Sequence, residues 1–180
     1  MKTLRIALVG LSLLALPAHA GPKTFKTGPV IEGYGPVAPL QAGWNLPADT
    51  KFRVAFDAAK AAEPDALNRT LESAARFINM HAVAGVEHAN MDVAVVVHGA
   101  AAFDLLNSKV FAAANDNRTN ASAPLIAELI RNNVRIILCG QTAAYRDIAV
   151  TDLLPGVEMD LSAMTAHARL QQAGYTVNPF

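Results

Sequence analysis

The sequence predicts a single α/β domain with a mostly parallel sheet sandwiched between helices, and three observations carry that expectation. The run Met91-Asp92-Val93-Ala94-Val95-Val96-Val97-His98 is β-branched and apolar on both faces, as suits a strand covered by helices on each side. Strand-like runs alternate with amphipathic stretches, the order from which parallel sheets are built. The 180 residues contain no internal repeat, and their length suits one core.

Residues 1–20 are expected to be a signal peptide. Lys2 and Arg5 precede an apolar stretch from Ile6 to Leu16, and Ala18-His19-Ala20 supplies the small-x-small cleavage pattern. The stretch is short for a bilayer span, and no cysteine follows the cleavage site to receive a lipid. The expected mature chain starts at Gly21, after cleavage behind Ala20, and is a soluble periplasmic protein. Without Lys2 and Arg5 the balance of 15 basic and 15 acidic residues becomes a formal charge of −2. That charge offers no polybasic surface for nucleic acid or anionic lipid, and no later segment is apolar enough to cross a membrane.

Residues 21–50 are rich in Gly and Pro, which breaks helices and disfavours a central strand. Val30, Ile31, Tyr34, Val37, Leu40 and Trp44 provide apolar anchors, so an extended arm is expected across its own domain or a neighbouring subunit. Residues 51–180 then carry the regular elements. Phe52 to Asp57 is the first strand. Pro64-Asp65 opens a helix with an apolar stripe at Leu67, Leu71, Ala75 and Ile78, for which Asp65 is the expected cap. Residues 91–98 form the second strand. A polar loop at Asn115 to Asn120 leads to a helix from Ala123 to Asn132, with Pro124 in its first turn. Val134 to Leu138 is the next strand, followed by a short helix from Ala143 to Val150. Val157-Glu158-Met159 is a short strand, Ser162 to Gln172 the last helix, and Tyr175 to Asn178 the closing segment.

Cys139, the only cysteine, stands where an apolar strand gives way to Gly140-Gln141-Thr142, with Thr142 as the expected helix cap. Free amides at a helix start favour the thiolate, the nucleophilic form of cysteine. The alternative is a small buried hydrophobe, since unpaired cysteine is often core. A lone cysteine cannot form an internal disulfide. Parallel strands place their carboxyl ends on one edge, where sites form in open α/β sheets. Asp57, His98 and Cys139 all stand at such ends and converge if their strands adjoin. His98 could share a proton with the thiol, although a histidine that simply bonds a loop carbonyl is the commoner case. Gly140, Gln141 and Thr142 could support an anion or sulfur atom with amides and a side-chain donor, and serve equally well as an ordinary turn and cap. Asp57 could assist acid–base work, yet an aspartate ending a strand is usually a turn former; Arg146 could reach the thiol from the short helix and reads equally as a solvated cation. His81, His88 and His167 lack metal-ligand spacing. Neither a phosphate-cradling Gly-x-Gly-x-x-Gly nor a Gly-x-Ser-x-Gly nucleophile elbow is present, so no cofactor or metal is implied.

The segments Val95-Val96-Val97-His98-Gly99-Ala100-Ala101, Leu129-Ile130-Arg131-Asn132-Asn133-Val134 and Leu138-Cys139-Gly140-Gln141-Thr142 resemble the DsrE/DsrF-like family. Asp152 to Val157, Ser162 to Thr165 and Gln171 to Tyr175 extend the resemblance over roughly Lys51 to Phe180. It implies a compact α/β domain assembled as a homo-oligomer, a trimer or hexamer. In the sulfur-relay members a cysteine just after a central strand accepts and passes on persulfide sulfur, and Cys139 stands at the matching place. The resemblance thus implies a role in sulfur metabolism, with Cys139 carrying or binding sulfur and a sulfur-donor or acceptor protein as partner. It departs from the cytoplasmic relay members in its export signal and in lacking a second relay cysteine. The competing expectation is a non-catalytic homo-oligomeric binding or scaffold protein in which Cys139 is structural.

Overall fold

A computed structural model describes residues 21–40, 43–63 and 65–178; the expected signal peptide, residues 1–20, lies outside them. Strands β1 (Phe52–Ala58), β2 (Met91–Val97), β3 (Arg135–Cys139), β4 (Glu158–Asp160) and β5 (Thr176–Asn178) form a five-stranded sheet among these residues. Its order is β4-β3-β2-β1-β5, and every neighbouring pair is parallel. The expectation of a mostly parallel sheet in one α/β domain is met. The three strands with the longest apolar runs occupy the centre, because only there are both faces and both edges covered.

Helices α1 (Arg69–Val83), α2 (Ser108–Ala114), α3 (Ala123–Arg131), α4 (Gly140–Tyr145) and α5 (Ala163–Gln172) complete the domain. One sheet face offers Val54, Phe56, Val93, Val95, Val97, Ile136 and Leu138 to Leu71, Ala75 and Ile78 of α1 and to Leu125 and Leu129 of α3. The other offers Ala55, Ala94, Val96 and Ile137 to Ala166 and Leu170 of α5. Small residues on this second face let a single helix lie close to the backbone.

Several boundaries differ from expectation. Helix α1 begins at Arg69 rather than at Pro64-Asp65. Asn68 caps it by accepting hydrogen bonds from the backbone N–H groups of Thr70 and Leu71. Asp65 has a φ of 58° and belongs to the preceding turn, while Pro64 lies outside the described residues. Asn68 succeeds as cap because its own amide is also held, by Lys60 O and the Asp104 carboxylate. The helix expected over residues 143–150 spans Gly140–Tyr145 instead. Two elements had no counterpart in the sequence reading: a 3₁₀ segment at Gly99–Leu105 and α2, capped by Asn107.

The arm lies along α1. Buried Asn79 accepts from the N–H groups of Val30 and Ile31 and donates to the carbonyls of Ile31, Tyr34 and Gly35. One amide side chain thereby satisfies a stretch of backbone that forms no ladder of its own. Ile31 and Val37 are buried, and Val30 and Tyr34 pack against the core. Leu40 and Trp44, also expected as anchors, remain 61% and 67% exposed.

Candidate functional site

Strand order decides whether the expected strand-end residues meet. Because β1, β2 and β3 are consecutive neighbours, Asp57, His98 and Cys139 share one edge of the sheet. They also share one face. Ala55, Val96 and Ile137 pack toward α5, and side chains two positions onward point the same way along extended backbone. His98 keeps that extended conformation (φ −149°, ψ −177°), and its N–H continues the ladder to Ala58 O at 2.9 Å.

Cys139 is itself the N-cap of α4, a position the sequence reading gave to Thr142. Its Sγ accepts a hydrogen bond from the N–H of Thr142 at 3.4 Å. Thr142 Oγ1 in turn accepts from the N–H of Gly99 at 3.2 Å, tying the start of α4 to the end of β2. Gly99 must be glycine for this turn, having a φ of +57° and lying where a Cβ would stand 3.0 Å from Ala59 O. Gly140 is constrained by proximity, since its Cβ would fall 2.8 Å from Asp160 O. The side-chain amide of Gln141 reaches Leu161 O at 3.5 Å.

Cys139 is buried, with 6% of the residue exposed. Burial, the largest single influence, pushes its pKa up, yet the net shift is downward. The Thr142 hydroxyl and the N–H groups of Thr142, Ala163 and Gln141 together stabilise the anion by more than burial disfavours it. Three of those donors come from the first turn of α4 and one from the start of α5. The lowering comes from hydrogen-bonding groups of two helices, α4 and α5.

His98 does not hydrogen-bond the thiol. Its Nε2 lies 3.1 Å from Asp57 Oδ2, and Nε2 of His167, on α5, lies 2.8 Å from Asp57 Oδ1. Burial tends to raise the Asp57 pKa, but hydrogen bonds from His167 and His98, with their charge, bring it below the usual carboxylate value. An ionised carboxylate only accepts, so both Nε2 atoms carry the donated hydrogen. The remaining ring nitrogen of His167 is buried without a hydrogen-bond partner. Among the described residues no group of three His, Cys, Asp or Glu side chains is disposed to hold a metal ion.

His167 is the member that sequence reasoning missed. Ser162 caps α5, its hydroxyl accepting from the N–H of Thr165, and this fixes the helix phase. Ala163 then meets the thiol, and His167, one turn later on the same side, meets Asp57. Arg146 lies with its guanidinium 5.1 Å from the Phe103 ring centre. His81 packs against Phe52 and Phe77 far from this edge in the chain's architecture, on the α1 side of the sheet.

A family model described as "DsrE/DsrF-like family" matches residues 50–179. Among solved structures, the chain is similar to a protein of unknown function, MTH1491, from Methanobacterium thermoautotrophicum. The identity is 21%, with a TM-score of 0.55 over 72% of this chain and 100% of that one. It is also similar to the YchN protein from E. coli, at 19% identity and a TM-score of 0.52 over 72% of this chain and 99% of the other. No curated protein matches the chain.

Proposed function

Because the chain belongs to the DsrE/DsrF-like family, we propose that it is an exported sulfur-handling protein in which Cys139 carries sulfane sulfur as a persulfide. The observation that carries this reading is the place of Cys139 as N-cap of α4, its Sγ accepting from the Thr142 N–H at 3.4 Å, with further lowering of the thiol pKa by Ala163 and Gln141. Those donors favour the thiolate, which attacks the outer sulfur of a persulfide donor and later surrenders it to an acceptor. The protein acts in the periplasm after cleavage behind Ala20, as a homo-oligomer, a trimer or hexamer. Exposed Leu40 and Trp44 beside Met80 and Val83 of α1 support that assembly, being apolar surface suited to a second copy. A sulfur-donor or acceptor protein would complete the relay.

The test is intact-mass spectrometry of protein recovered from the periplasmic fraction, before and after incubation with glutathione persulfide. Expected are a chain starting at Gly21, a gain of one sulfur atom, and no gain in Cys139→Ser. Failure of the wild-type chain to take up sulfur would transfer support to the scaffold reading, which the 6% exposure of Cys139 favours.

A further inference from the structure

Asp57, His98 and His167 form a cluster that the thiol's own hydrogen bonds leave unused. One carboxylate accepts from two imidazoles, one on each oxygen, at 3.1 and 2.8 Å. The cluster shares its sheet face and edge with Cys139, and two paths of backbone and hydrogen bonds join them. Gly99, next to His98, donates to the Thr142 hydroxyl that serves the thiol, and α5 carries both Ala163 and His167.

The two imidazoles differ. His167 has a side chain only 17% exposed, and its second nitrogen is buried with no acceptor in reach. A hydrogen placed there would have no partner, so His167 serves as a single-donor anchor for Asp57. The His98 side chain is 33% exposed, and its second nitrogen is not among the buried unpartnered atoms. The remaining charges nearby are engaged elsewhere: Asp160 pairs with Arg169, and Arg146 lies over Phe103 and Tyr145.

We propose that His98 is the general acid of sulfur loading at Cys139, and that Asp57 and His167 are positioning residues that hold its ring. The inference rests on the sulfur-carrying reading of Cys139. In the step, the Cys139 thiolate attacks the outer sulfur of a donor persulfide R–S–SH. A new S–S bond forms to Cys139 as the donor's S–S bond breaks, and the electron pair leaves on R–S⁻. The Nδ1 proton of cationic His98 passes to R–S⁻, giving R–SH, a neutral imidazole and Cys139–S–SH. Charge and atoms balance with no external oxidant or reductant. Asp57 holds Nε2 as its donor, which leaves Nδ1 as the nitrogen that gives up the proton.

The test follows loading rates by mass spectrometry with two donors, glutathione persulfide and benzenethiosulfonate. The second releases a sulfinate, a weak base that needs no proton. His98→Gln keeps an amide donor for Asp57 yet cannot deliver a proton. It is expected to slow loading from the persulfide about a hundredfold, the usual scale of acid catalysis, and to remove the alkaline limb of the pH–rate profile. Its loss with the thiosulfonate should be at least about tenfold smaller. His167→Gln, which still donates to Asp57, should retain most of the persulfide rate that His167→Ala loses. Equal losses with both donors, or an unchanged rate in His98→Gln, would overturn the acid role of His98 while leaving Cys139 a carrier. No loading in the wild-type chain from either donor would overturn the carrier reading and the acid role together.

Discussion

The two faces of the sheet solve different problems. Against α1 and α3 the strands present Phe56, Val95, Ile136 and Leu138, all 1% exposed or less, and two helices seal them. Against α5 they present Ala55, Ala94, Val96 and Ile137, sealed by little more than Ala166 and Leu170. At its amino edge that thinner face carries the ion pairs Arg53–Asp92 and Arg135–Glu158, and at its carboxyl edge Asp57, His98, His167 and Cys139. One face stores the stability of the fold; the other spends apolar area on ionisable groups and gains chemistry. A site can be assembled on a thin layer because the thick layer opposite keeps the strands in register.

The largest expected effect tests that division directly. Phe56→Ala removes a ring enclosed by the thick layer and should destabilise the protein by about 3 to 5 kcal/mol. Leu170→Ala, on the single helix that covers the thin face, should cost about 2 kcal/mol because the site can partly collapse. Urea unfolding of both variants measures the gap, and equal losses would show that the faces share the load.

A smaller effect separates the faces by pH. The folded-state pKa of Asp57 is lowered, so across the interval below the ordinary carboxylate value of 3.8 the unfolded chain binds more protons than the folded one. Its contribution is complete above that value and is lost as pH falls through the lowered one. With 38% of the Asp57 side chain exposed, solvent screens the contribution and keeps it modest. Asp57→Asn should flatten the acid fall of the urea midpoint, whereas Phe56→Ala should displace the curve without changing its shape.

The smallest effect is at the thiol. Cys139→Ser replaces one cap by a better one, since serine is a favoured N-cap. Stability should therefore stay within about 0.5 kcal/mol of the wild type, while the proposed sulfur uptake should be lost. A substantial loss in the urea midpoint would mean that Cys139 serves packing first.

The thick face was legible in the sequence because β-branched runs and apolar stripes have periods that need no partner to be recognised. The parallel sheet followed from their alternation. The start of α1 was misplaced because Asp65 and Asn68 both suit a cap, and the choice fell to the buried contacts of Asn68 with Ser122, Lys60 and Asp104. Helix α2 and the 3₁₀ segment before it are alanine-rich and carry no stripe to read. The thin face was legible only in pieces. Strand ends marked Asp57, His98 and Cys139, but their adjacency required strand order. His167 lies 110 positions from Asp57, and pairing them required the phase of α5 over the sheet.

Gly140 sets a limit on how the thiol can be retuned. With the carbonyls of Asp160 and Leu161 pressed against the place of its missing Cβ, the residue after the cysteine admits no side chain unless β4 moves aside. An engineer seeking a faster or slower thiol thus cannot work from the adjacent position and must act through Thr142, Gln141 or the first turn of α5. Divergence within this architecture faces the same restriction: the sulfur sits on an immovable hinge pin, and its temperament is adjusted only from the surrounding frame.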